Sequence, residues 1–124
     1  MIVFMTLGTH VFGQHSVDTL CTNATTQRET EEGLLSSYKK SNKQLQTIYN
    51  KIVNKLQKTN RFKLVNAVVK SQMRWLLYRD QYVKVWSEAY SGGSSQYSME
   101  LDCKIRMTYF RTQELNSLYD DLSK

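Results

Sequence analysis

The sequence predicts an all-α fold, an antiparallel up-down-up bundle of three long helices with one disulfide at one end. Three observations carry that expectation. The 124 residues contain no proline, and their only adjacent glycines are Gly92-Gly93. The apolar residues recur at spacings of three, four and seven instead of alternating as a strand requires. A chain of this length builds one modest core, hence one domain.

The first helix starts at Thr26-Gln27-Arg28-Glu29. This is a Thr-x-x-Glu capping box, in which hydroxyl and carboxylate each satisfy an orphan backbone N–H. Leu34, Tyr38, Leu45, Tyr49, Ile52 and Leu56, with Leu35 and Ile48 beside them, extend one apolar stripe over 27–58. Thr59-Asn60 is the expected break. A second stripe through Leu64, Val68, Trp75, Tyr78, Tyr82, Trp86 and Ala89 ends at Ser91-Gly92-Gly93, where glycine can take the left-handed capping conformation. The third runs over 96–121 through Tyr97, Leu101, Ile105, Thr108, Leu115 and Leu118, with Leu122 just beyond. Helices of about 30 residues are roughly 45 Å long, and short connections between them force antiparallel neighbours. In that topology Cys21 and Cys103 fall at the same end. A bridge between them closes a loop of about 83 residues, worth roughly 4 to 5 kcal/mol in the chain-entropy model. Two free buried thiols are the alternative.

Residues 1–13 read as a signal peptide: the apolar run is too short to span a bilayer but suits an h-region, with Val11 and Gly13 before a cut at Gln14. A basic n-region is missing, so a clipped or misassigned start is inferred, and an apolar tail packed on the body is the competing reading. The domain is then 14–124, exported to the periplasm or outside the cell, with or without membrane association. Such a compartment keeps a disulfide oxidised.

The formal charge is +6, unevenly spread. Between 38 and 70 stand Lys39, Lys40, Lys43, Lys51, Lys55, Lys58, Arg61, Lys63 and Lys70, with no acid among them. Lys51, Lys55 and Lys58 form a basic stripe that would attract acidic partners over about 8 Å at physiological salt. A solvated helix face is the simpler account of the same lysines. Catalysis has no support. His10 and His15 lie in or beside the presumed signal and are the only histidines. There is no phosphate loop, no nucleophile elbow and no metal-ligand spacing. No enzyme activity, cofactor or metal is expected.

Placed on these elements, the pattern Cys-x-x-Ala-x-Thr-Gln-x-Glu at 21–29, then Tyr38, Leu45, Tyr49 and Leu56, then Gln72, Trp75, Tyr78, Arg79 and Asp80, then Gly92-Gly93-Ser94, Cys103, Thr108, Arg111 and Glu114-Leu115, resembles the LprI-type lysozyme inhibitor family. The resemblance covers 21 to about 122. It implies a small, helical, exported bacterial protein, often periplasmic or lipid-anchored, whose activity is inhibition of lysozyme. The family commonly has four cysteines. Here Gly33 and Val83 occupy the two other cysteine positions, level with each other in the bundle. The resemblance thus implies that one bridge has been lost together and Cys21–Cys103 retained. A large neighbour packed on Gly33 is expected to exploit the missing side chain.

Trp75, Arg79, Tyr82, Val83 and Trp86 share one helix face, so Arg79 points inward and needs a partner. Glu29 or Glu32 is the expected acid, with Asp80 pairing to Lys84 instead. Gln72, Trp75, Tyr78, Arg79, Asp80, Thr108 and Arg111 are taken mainly as residues that lock the bundle, with Arg79 or Asp80 as the ones that could instead meet a partner. The proposed contact with a lysozyme or related cell-wall hydrolase is the small polar loop Gly92, Gly93, Ser94, Ser95 and Tyr97. Many lysozymes are basic, so the lysine block would repel them on approach; the acidic third helix or a less basic target must then make the contact. The alternative is an envelope binding module whose lysine stripe meets acidic polymers or lipid head groups. Nucleic acid is a weaker third reading and is not adopted.

Overall fold

A computed structural model describes residues 26–124. Three helices and no strands are found among them: α1 (Gln27–Lys58), α2 (Phe62–Ala89) and α3 (Gln96–Asp121). The expected bounds of α1 hold because both of its ends have a local cause. Thr26 Oγ1 accepts from Glu29 N–H at 3.2 Å, and the Glu29 carboxylate accepts from Thr26 N–H at 3.0 Å, which completes the capping box. At the other end of α1, Asn60 takes φ +56°. Arg61 N–H donates to Leu56 O at 2.9 Å and Asn60 N–H to Gln57 O at 3.0 Å. This crossed pair, with Asn in the left-handed position, stops the helix.

The apolar stripes meet in two clusters. The larger contains Leu45, Ile48, Ile52, Leu56, Val68 and Leu115, with Tyr49, Trp75, Leu118 and Tyr119 packed against it. The smaller has Leu34, Leu101 and Ile105, flanked by Leu35 and Tyr38. Between them lies a polar belt centred on Arg79, which is only 6 % exposed.

Two contacts fix which helix ends are neighbours. Gln27 Nε2 donates to the Ser94 carbonyl, joining the start of α1 to the approach to α3. Lys55 Nζ donates to Ser123 Oγ at 2.5 Å, joining the last turn of α1 to the end of the chain after α3.

Arg79 does not pair with Glu29 or Glu32. Its Nε meets Asp80 Oδ1 at 3.2 Å, and its Nη1 reaches Thr108 Oγ1 at 3.4 Å and Asn42 Oδ1 at 3.5 Å. Its guanidinium lies 5.3 Å from the Trp75 ring centre and 5.7 Å from that of Tyr38. Neutral oxygens and two ring faces share the role assigned to one acid, while Asp80, placed to the side of the helix, is reached by the long arginine stem instead of pairing with Lys84. Gly33 also departs from expectation: a Cβ built there meets nothing within 4 Å among the described residues. Val83 is buried as expected. Cys103 is buried too, but Cys21, the signal segment and the sequence before Thr26 lie outside the described residues, and no disulfide is found among those described.

Candidate functional site

The loop singled out in the sequence is a turn held from all three helices. α2 runs out at Ala89, and Gly93 N–H then donates to Tyr90 O at 3.0 Å. Gly92 occupies the third place of this turn with φ +74°, where a side chain would be strained. A Cβ on Gly93 would stand 3.2 Å from the Tyr90 carbonyl oxygen, so the second glycine permits the close approach. Gln96 secures the turn from inside. Its Oε1 accepts from Gly92 N–H at 3.3 Å, and its Nε2 donates to Ser87 Oγ at 2.9 Å and to Glu100 Oε1 at 3.5 Å. Gln27 of α1 adds its hydrogen bond to the Ser94 carbonyl. The backbone of the turn is therefore fixed while Ser94 and Ser95 remain exposed and Tyr97 keeps 45 % of its surface open.

The surroundings of this turn are acidic. Glu29, Glu31 and Glu32 sit in the first turns of α1, beside Gln27; Glu88 closes α2; Glu100 opens α3. Three of the cations at this end, Arg28, Arg106 and Lys104, are engaged, while Lys84 is exposed. Arg28 pairs with Glu32 at 2.9 Å, and Arg106 pairs with Asp102 at 2.9 Å while lying 5.5 Å from the Trp86 ring centre. Lys104 stands 5.6 Å over Tyr38. Trp86 in turn stacks on Tyr90 at 6.3 Å. Trp86 Nε1 and Asp102 Oδ1 are buried with no hydrogen-bond partner among the described residues. Burial pushes the Cys103 thiol above its usual range, with Asp102 adding to that effect and Arg106 and Lys104 opposing it.

The lysine stripe lies at the far end of α1. Lys51, Lys55, Lys58, Asn54 and Thr59 line an open groove against Tyr119 of α3. Lys55 is committed, with Ser123 as its hydrogen-bond acceptor and the Tyr119 ring centre 5.1 Å away. Lys51 and Lys58 are exposed.

The motif residues divide between interior and surface. Trp75 has Arg79 near one side and Arg111 at 5.8 Å. Arg111 donates to Gln72 Oε1 at 3.0 Å, Ser71 Oγ at 2.9 Å and Glu114 Oε2 at 2.9 Å. Thr108, fully buried, accepts from Arg79. Gln72, Trp75, Arg79, Thr108 and Arg111 thus form one connected array between α2 and α3. Asp80 joins it from the surface through its 3.2 Å pair with Arg79, and Tyr78 lies outside it, exposed and stacked on Tyr82 at 5.9 Å. Sequence reasoning missed Gln96, Gln27 and Asn42, whose roles are long-range or lie across a turn. Only Gln96 left a signal, its place four residues after the left-handed glycine. Among the described residues no group of His, Cys, Asp or Glu is arranged to hold a metal, and no helix is long and apolar enough to cross a membrane.

Compared with known families, residues 21–115 match the family described as Lysozyme inhibitor LprI. No curated protein and no solved structure matches the chain.

Proposed function

The chain belongs to the LprI lysozyme inhibitor family, and from that premise we propose that it is an exported, non-enzymatic bundle that occludes a lysozyme or related cell-wall hydrolase with its Gly92–Tyr97 turn. The observation that carries this reading is the coincidence of a fixed backbone, exposed Ser94, Ser95 and Tyr97, and acidic surroundings in one place. A fixed turn loses little entropy on docking. The acids beside it steer a basic enzyme toward this end, while Lys51, Lys55 and Lys58 stand at the other and Lys39, Lys40 and Lys43 lie between.

This reading includes an up-down-up course for the helices, supported by the neighbouring ends of α1 and α3, and a Cys21–Cys103 bridge at the turn end, supported by the burial of Cys103 beside it. Mixing the purified, oxidised protein with several lysozymes at equal concentration tests the function. Inhibition should be lost when Ser94, Ser95 and Tyr97 are replaced together by Glu, Glu and Ala, with helicity unchanged. Full activity of every lysozyme in the presence of the unaltered protein rejects the proposal.

A second reading rests on the groove lined by Lys51, Lys55 and Lys58: an anionic envelope polymer or lipid head group would lie along it. Here reversal of the three lysines to Glu removes binding, the turn variant does not, and affinity falls steeply with salt.

A further inference from the structure

The side of α2 turned away from the core carries large apolar groups that no other described residue covers. Leu77 is 67 % exposed, Val85 59 % and Tyr78 58 %, with Met73 and Tyr82 flanking them. Single exposed apolar residues are ordinary on a protein surface, but a contiguous set on one helix marks a contact. By helical periodicity Arg74, Leu77, Tyr78, Gln81, Val85 and Glu88 lie opposite the buried line of Val68, Gln72, Arg79 and Val83. Arg74, Gln81 and Glu88 repeat at the seven-residue interval of a helix-pairing seam.

We propose that this face pairs with the same face of a second copy, antiparallel, about a two-fold axis at Gln81. The sequence is self-complementary about that point. Leu77 and Val85 are equidistant from Gln81 along the helix, as are Tyr78 and Lys84, and as are Arg74 and Glu88. The two-fold therefore sets Leu77 against Val85 of the second copy, places Lys84 beside the ring of Tyr78, and joins Arg74 to Glu88 twice over, once on each side of the axis. Arg74, Lys84 and Glu88 are exposed and have no ion-pair partner among the described residues. A parallel pairing would oppose Arg74 to Arg74 and Glu88 to Glu88, so charge selects the antiparallel arrangement. One helix face with its flanking side chains falls at or below the low end of the roughly 1,200–2,000 Å² that specific pairs bury, so association is expected at micromolar concentration.

Sedimentation velocity of the full chain across the micromolar range tests the pairing. A concentration-dependent dimer is expected. Arg74→Glu and Glu88→Arg should each weaken it about tenfold by opposing like charges. The double reversal should restore it, and Leu77→Asp should leave a monomer of unchanged helicity. A monomer at every concentration overturns the proposal, as does a dimer indifferent to the single reversals or not recovered in the double one. Inhibition of lysozyme is no part of this readout, so the pairing and the proposed function stand or fall separately.

Discussion

At the lysine-bearing end, Leu45, Ile48, Ile52, Leu56, Val68 and Leu115 close a dense core and the last turn of α1 is ended by Asn60; at the turn end, Leu34, Leu101 and Ile105 form the buried cluster among the described residues, and Gln27, Gln96 and two glycines hold the backbone. One end is stabilised by apolar burial, whose strength scales with area, and the other by directional contacts that need little volume. The difference separates two tasks. A surface that meets a partner cannot also hide its apolar groups, so the bundle keeps its core remote from the turn and links the two through the belt of Arg79, Tyr38, Trp75 and Thr108.

Substitutions should grade along this axis. Ile52→Ala, in a side chain with no exposed surface, should cost about 3 to 4 kcal/mol in urea unfolding, and the variant should still inhibit while folded. A cost below about 1 kcal/mol would erase the distinction between a cored and an uncored end. Arg79→Ala should cost about 3 kcal/mol, because it strips Thr108 and Asn42 of a donor and leaves a gap between two rings. Arg79→Lys should recover little of that, since an ammonium lacks the planar fork. An unchanged melting temperature would place Arg79 outside the framework and make it a contact residue. Gly92→Ala, which forces a side chain into φ +74°, should cost only about 1 kcal/mol in stability, yet its effect on inhibition should exceed that of Ile52→Ala measured below the melting point.

The helices were legible in the sequence because their signals are local. A capping box, an Asn-terminated turn and a Gly-Gly pair act over a few residues, and the apolar spacing repeats often enough to average out exceptions. What sits across helices was less so. The inward direction of Arg79 follows from its spacing, but apart from Trp75 and Asp80 on its own helix its partners are neutral groups from α1 and α3, which a search for an opposite charge passes over. The same search overlooked Asp80, the next residue, because it treated direction on the helix as fixed and ignored the reach of a long side chain. Gly33 failed for a related reason: an empty position says nothing about how full the space beside it is. At the turn, the exposed serines and Tyr97 could be named from sequence, whereas three of the acids around them, Glu29, Glu31 and Glu32, are contributed by the start of α1, far away along the chain and near only after folding.

The central claim is that the turn end, and not the lysine end, meets the hydrolase. Hydrogen exchange of the inhibitor measured alone and in complex with a lysozyme it inhibits reads this directly. The account predicts new protection in residues 92–97 and the first turns of α1, with exchange around Lys51, Lys55 and Lys58 unchanged. Protection confined to the lysine groove, with the turn exchanging as freely as in the isolated protein, would contradict it.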